Sequence, residues 1–431
     1  MTSPRTLNFL IFALALLCLS TQTHAQTVVA TIPLGQIPSS IAVNSKTNIV
    51  YATCQSPTTL KVVDGATNSV TATIPLNSIF LPPNGIAVNP TTNRIYVDDF
   101  VHGVVVLDGA TNAIVTTITL PIGAVKVAVN PVTNMVYVGN GTERTITVID
   151  GNVNSPTENS VVAVIPVTAY LGADIVVNPL TNRLYVVTNG FDFESNKYRP
   201  ITVVDGGANT VIASPLQDVF LGSLALNPVT NRIYTVEAGG FSFKVDVFDA
   251  ADVSHLTAVT MNFGLNRVAV NPTTNRIHVT EPGLGAMWRI DGITHAFIRY
   301  DLGLYEPIPR PLVVNTETSF VYVANTGFNP NLGGQSISVI DDPPLPDVQL
   351  RALIQKVQGY NLSNGISNSL DSKLQNALAA LESLSSGNNA TVCNKLAAFI
   401  NEVQSHKELT AAQANELIAA AARIQRTIAC V

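Results

Sequence analysis

A seven-bladed β-propeller followed by a small α-helical domain is the fold class this chain predicts, and three observations predict it. The first is a recurring Val-Asn-Pro-x-Thr-Asn cadence followed by a Tyr-Val pair. Its leading asparagines, Asn44, Asn89, Asn130, Asn178, Asn227, Asn271 and Asn315, stand 45, 41, 48, 49, 44 and 44 residues apart. A period of forty-odd residues built from short alternating runs is that of one four-stranded blade. The second is the wealth of Val, Ile and Thr across residues 27–341, which favours strands. The third is an abrupt change of composition after Asp342-Pro-Pro-Leu-Pro346, where Ala, Leu, Asn and Gln take over at helical spacing.

Blade two illustrates the unit. The run ending at Val88 is a short buried strand, and Asn89 to Asn93 form a turn with Pro90 at its second position. Proline fits there because its fixed φ suits a type I turn, and the preceding asparagine side chain caps it. The strand carrying Tyr96 follows, then a variable loop, then Val104–Leu107 ending at the tight-turn pair Asp108-Gly109. Ile114–Ile118 makes the fourth strand. The turn aspartate recurs as Asp64, Asp150, Asp205, Asp249, Asp291 and Asp341, and glycine follows it in five of seven units.

The seventh unit stops after its third strand, Ser336–Ile340. The missing fourth strand is supplied from the other end, because Thr27-Val-Val-Ala-Thr-Ile-Pro-Leu34 matches Val70-Thr-Ala-Thr-Ile-Pro-Leu76. An N-terminal strand that completes the last blade closes the ring and removes an open sheet edge. The predicted organisation is a signal peptide over 1–25, a propeller over 27–341, a Pro-rich linker over 342–346 and a helical domain over 347–431. In that domain Leu350, Leu353, Ile354 and Val357, then Leu374, Leu378 and Leu381, mark apolar helix faces. Later helices divide around Gly387 and the Glu408-Leu-Thr-Ala stretch.

Arg5, the apolar run Phe9–Leu19 and Thr23-His24-Ala25 read as a secretory signal. The run is too short for a membrane span, and no second run of spanning length follows. The expected location is therefore secreted, periplasmic or at the cell surface. Removal of the signal leaves Cys54, Cys393 and Cys430. Cys393 and Cys430 both fall in the helical segment, and disulfides persist outside the cytosol, so these two are the expected pair. Cys54 is expected to be a small buried apolar side chain. Net charge is −6, the sequence pI is near 5.5, and no basic run exists, which disfavours nonspecific nucleic-acid binding.

Tyr322-Val-Ala-Asn325, Tyr137-Val-Gly-Asn140 and Tyr185-Val-Val-Thr-Asn189, each after its turn, resemble the YVTN family of β-propeller repeats. The likeness covers all seven units. It implies an exported binding or scaffold module. The helical tail is similar to the FIMAH type of C-terminal domain, chiefly through Leu396-Ala-Ala-Phe-Ile400. Two departures stand out: His278 replaces the repeat tyrosine in blade six, and Thr316 and Ser319 erode the turn of blade seven.

No His-Glu-x-x-His, Gly-x-Ser-x-Gly, P-loop or Cys-x-x-Cys occurs, and the histidines show no metal-ligand spacing. Propellers bind at the channel mouth, on the loops joining strand two to three and strand four to the next blade. The position three after the repeat tyrosine, or after His278, holds Cys54, Asp99, Asn140, Thr188, Glu237, Glu281 and Asn325. Six of the seven are polar, and Asp99, Asn140, Glu237, Glu281 and Asn325 form the candidate ligand ring, as oxygen ligands for Ca²⁺ or a polyol, or else as caps of the rim loops. Asp99 and His102 also lie close in sequence. Trp288 stands three before Asp291, where other units carry Lys61, Val105, Thr147, Thr202, Asp246 and Ser338. A position so tolerant of polar residues is expected at the surface, making Trp288 a candidate stacking platform for a sugar or partner. The excursion from Asn189 to Pro200, with Phe191, Phe193, Lys197, Tyr198 and Arg199, is a candidate interaction loop.

The expected function is that of a non-enzymatic monomer engaging a protein or cell-envelope polymer on its loop face, with no cofactor beyond a divalent metal such as Ca²⁺. The alternative is a lactonase-like hydrolase or lyase with its site at the channel mouth.

Overall fold

The computed structural model describes residues 28–431 apart from 77–81, 168–173, 193, 195, 216–219, 238–241, 303–308, 328–333, 361, 383–388, 429 and 431. The signal-peptide reading over 1–25 and Phe193 lie outside the described residues. Two compact units result, one over Gln26–Ala352 and one holding Leu353–Val431.

Seven four-stranded antiparallel sheets occupy 37–75, 86–119, 124–166, 175–213, 221–265, 268–301 and 309–341, the last completed by Val28–Pro33. That N-terminal strand lies against Ser336–Asp341, with Thr31 opposite Ser338 and Ile32 opposite Ile337. The innermost strands of neighbouring blades touch one another all the way round, the first against the seventh included. The predicted clasp is therefore the observed one. Because strands alternate in direction, the Asn-Pro-x-Thr-Asn and Asp-Gly turns share one face, the turn face. Connections from strand two to three, and from strand four to the next blade, share the opposite loop face.

The repeat motif has a local role and a longer-range one. Locally, Asn89 Oδ1 accepts from the Thr91 N–H at 2.9 Å and the Thr92 N–H at 3.3 Å, capping its own turn. The last motif residue, Asn93, sits at φ 54°, a left-handed conformation that asparagine tolerates. Across five of the seven seams, the leading asparagine donates its amide to that last asparagine of the following blade. The rungs Asn44–Asn93, Asn89–Asn134, Asn130–Asn182, Asn227–Asn275 and Asn315–Asn48 measure 2.7, 2.9, 2.6, 2.8 and 2.8 Å. Two seams lack the rung. The buried Nδ2 of Asn178 and of Asn271 has no partner among the described residues. At the Asn271 seam the expected acceptor is replaced by Ser319.

The repeat tyrosines are buried, and several reach the following blade at its Asp-Gly turn. Tyr185 Oη donates to the Ala250 carbonyl at 2.5 Å. A Cβ on Gly65 would lie 2.6 Å from the Tyr322 hydroxyl, so the close approach of the ring explains why glycine follows the turn aspartate there. Where blade six carries His278 in place of tyrosine, blade seven carries Asp342 in place of that glycine. His278 Nε2 stands 3.1 Å from Asp342 Oδ2. Arg276 Nη1 donates to Asp342 Oδ1 at 2.7 Å and to the Pro343 carbonyl at 2.6 Å, and Arg289 Nη1 reaches Oδ1 at 3.1 Å. A buried charge cluster thus substitutes for the tyrosine–glycine contact at this one seam. Burial opposes ionisation of Asp342, but His278, Arg276 and Arg289 outweigh it and hold the carboxyl well below the usual range.

The C-terminal helices are α1 (Pro346–Gln358), α2 (Asn364–Glu382), α3 (Asn389–Ser405) and α4 (Ala411–Thr427). Leu374 and Leu378 of α2 are buried, as their spacing predicts, and Leu381 is half-buried; Leu370 of α2, Leu396 and Phe399 of α3, and Leu417 and Ile424 of α4 are buried as well. Thr410 and Gln413 form a reciprocal capping box that starts α4. A disulfide joins Cys393 in the first turn of α3 to Cys430 beyond the end of α4, with Cα atoms 5.6 Å apart. Cys54 is a free, buried thiol, and burial pushes it up to about 12.

Candidate functional site

Every candidate at the loop-face rim has a partner within its own blade or the adjoining loop. Asp99 Oδ1 accepts from the Val101 and His102 N–H groups at 3.0 and 3.2 Å, while Oδ2 lies 2.8 Å from His102 Nδ1. Asn140 donates to the Pro121 carbonyl at 2.9 Å and accepts from the Glu143 N–H at 2.8 Å, joining the loops on either side of it. Glu237 Oε1 pairs with Lys244 Nζ at 3.1 Å. Glu281 Oε2 accepts from the Trp288 indole N–H at 2.7 Å. Asn325 donates to the Ser336 and Ser338 hydroxyls, both at 3.0 Å.

These side chains are brought to equivalent places on the ring but not into one cluster. Among the described residues, no group of three or more His, Cys, Asp or Glu is placed to hold a metal ion. The carboxylates Asp99, Glu237 and Glu281 each face a local partner instead.

Trp288 differs from the exposed platform the sequence suggests. It is 6 % exposed and belongs to the core cluster between blades five and six that includes Val236, Val245 and Val279. Its ring meets Phe297 edge-on, with centroids 5.5 Å apart. The physical reason lies in what faces that position. In three blades it contacts the rim residue across the hairpin: Thr188 with Thr202 at 3.0 Å, Glu281 with Trp288, and Asn325 with Ser338. Thr202, Asp246 and Ser338 are buried too. Polar residues are tolerated there because they are paired, and pairing removes most of the cost of burial.

The proposed interaction loop is a hairpin. Arg183–Asp192 and Lys197–Asp205 pair along most of their length, with Phe191 opposite Tyr198 and Asp192 opposite Lys197. Tyr198 packs edge-on against Phe220, with centroids 5.4 Å apart, and Phe220 remains 45 % exposed.

Sequence reasoning passed over Asp98. It lies on the strand Arg94–Asp99 and is buried, with Oδ1 accepting from the Gly85 N–H at 2.9 Å. Burial pushes its carboxyl up to about 7, helped by Asp99 and opposed by the Gly85 and Asn84 N–H groups and Lys126. The available signal was alignment: other units hold Thr53, Gly139, Val187, Val236, Thr280 and Ala324 at this position, and only blade two has a carboxylate.

No protein-family model matches the chain. No curated protein matches it either. Among solved structures it is similar to the hydrazine synthase of Kuenenia stuttgartiensis, with a TM-score of 0.56 and 16 % identity over 71 % of this chain and 95 % of that one. At that identity the likeness shows the propeller fold alone.

Proposed function

We propose that this chain is an exported, non-enzymatic propeller of the YVTN kind that engages a protein or cell-envelope polymer on its loop face. The carrying observation is the bonding of the rim. Asp99, Asn140, Glu281 and Asn325 direct their polar atoms at their own loops and hairpins. Residues so bonded act as supports that hold the rim loops in shape, a preorganised surface rather than a reactive centre. Exposed apolar groups on the same face, Phe220, Phe243 and Ile122 among them, supply contact area. The Cys393–Cys430 disulfide supports residence in an oxidising compartment.

A thermal-shift panel on residues 26–431 with divalent metals, lactones, sugars and cell-wall fragments tests the reading, alongside an Asp99/Glu237/Glu281→Ala triple variant. Stabilisation by wall fragments or polymers, retained in a Trp288→Phe variant, is the expected result. Stabilisation by a metal together with lactone hydrolysis, both lost in the triple variant, would replace it with the lactonase-like alternative.

A further inference from the structure

We propose that Asp98 is a proton-operated latch on residues 82–85, the segment through which the chain enters blade two on the loop face. Asp98 and Gly85 grip each other twice. The Asp98 carboxyl accepts from the Gly85 N–H at 2.9 Å, and the Asp98 N–H donates to the Gly85 carbonyl at 3.1 Å. Gly85 in turn lies so close to blade three that a Cβ on it would stand 2.9 Å from the Val127 nitrogen and 3.0 Å from Lys126 Cα. From that strand, Ala124–Val129, Lys126 extends its Nζ to the Asn84 carbonyl at 2.8 Å. One short segment is therefore held by a carboxyl from blade two and an ammonium from blade three.

Asp98 is only 2 % exposed, so burial disfavours its anion relative to its neutral form. The charged groups acting on it are Lys126, whose ammonium is engaged on Asn84, and Asp99, a like charge on the same strand. Its cross-strand neighbour, Val104, is apolar. Two backbone N–H groups favour the anion but do not replace the water it lost. Above neutrality the anion must draw Lys126 away from Asn84 or admit water, and either change loosens the segment.

The sign follows from linkage. The carboxyl is raised from 3.8 to about 7, so the stability it contributes is complete below the unfolded value and lost as pH rises through the folded one. The latch is tightest in acid, weakens as pH rises from about 4 to about 7, and is weakest above neutrality. It deepens the loop-face reading, yet its test involves no ligand, so the two fail separately.

Hydrogen exchange of the Gly85 amide reads the latch directly, because Asp98 is that amide's acceptor. In the full chain, after correction for intrinsic exchange, protection at Gly85 is expected to be greatest, and flat, below about pH 4. Between about pH 4 and about pH 7 it should fall about tenfold per pH unit, the slope of one released proton, and level off above. Asp98→Asn should abolish that slope, and Lys126→Met should shift the upper bend to higher pH, because the Lys126 ammonium favours the Asp98 anion. Protection independent of pH, a slope that persists in Asp98→Asn, or an equal loss at the blade-three amides of Val136 and Val138 would each overturn the proposal. Should Asp98→Asn not fold, the Lys126→Met displacement decides by itself, and an unmoved bend refutes the latch.

Discussion

Asp342→Ala is expected to destabilise the propeller by about 3 kcal/mol. The carboxylate sits 2.7 Å from Arg276, 3.1 Å from Arg289 and 3.1 Å from His278, and removing one member of a buried ion pair costs roughly 3–5 kcal/mol. The arginine side chains retain 12 % and 22 % exposure, so the stranded guanidinium groups recover part of their hydration and the loss falls at the low end. The same cluster sets an acid limit. A carboxyl depressed in the folded state stabilises above its unfolded value and loses that contribution as pH falls through the ordinary carboxylate range and below.

The sharper test exchanges the seam for the form used elsewhere. A His278→Tyr/Asp342→Gly double variant restores a tyrosine facing a glycine, as Tyr322 faces Gly65. Arg276 then has Asp291 opposite it on its own hairpin, the arrangement in which Arg232 pairs with Asp249 at 2.7 Å. We expect the double variant to lie within about 1 kcal/mol of the parent and each single variant to be clearly worse, a coupling of about 2 kcal/mol. Urea unfolding followed by Trp288 fluorescence measures this cleanly, since Trp288 is the chain's one tryptophan and lies in the adjoining seam. Additive losses, with the double variant as unstable as the sum of the singles, would refute the idea that His278 and Asp342 replace the tyrosine–glycine contact as a pair.

Two further outcomes follow from the same geometry. Reduction of Cys393–Cys430, whose partners are 37 residues apart, should destabilise the helical unit by about 4 kcal/mol in the chain-entropy model; helical circular dichroism should melt earlier while Trp288 fluorescence is unchanged. Asn44→Ala should cost about 1 kcal/mol more than Asn178→Ala in urea unfolding, because Asn44 has a rung to Asn93 and the Asn178 amide has none. Equal costs would mean that turn capping, which both residues perform, accounts for all of the effect.

Blade number, ring closure and the helical tail were legible because each rests on local chemistry. Asn89-Pro90 specifies its turn within a few residues, and strands declare themselves by β-branched runs. The match of residues 27–34 to 70–76 announced the closing strand. Even the oddities were visible singly: His278 where tyrosine recurs, and Asp342 where glycine recurs. Their meeting was not visible, since they stand 64 positions apart and belong to different blades.

The site was less legible for a related reason. Trp288 and Asp98 sit at positions whose residue types vary from blade to blade, and variation in a repeat reads as exposure. Burial there depends on a partner across the hairpin, Glu281 for Trp288 and Gly85 for Asp98. The order of residues along this chain suffices for its turns, strands, helices and blade count, all of which follow from interactions over a few positions. Which asparagines form rungs, which seam carries a buried charge and which carboxyl burial pushes upward depend on packing blades against one another. Those contacts exist only once the ring has closed and removed water from its seams.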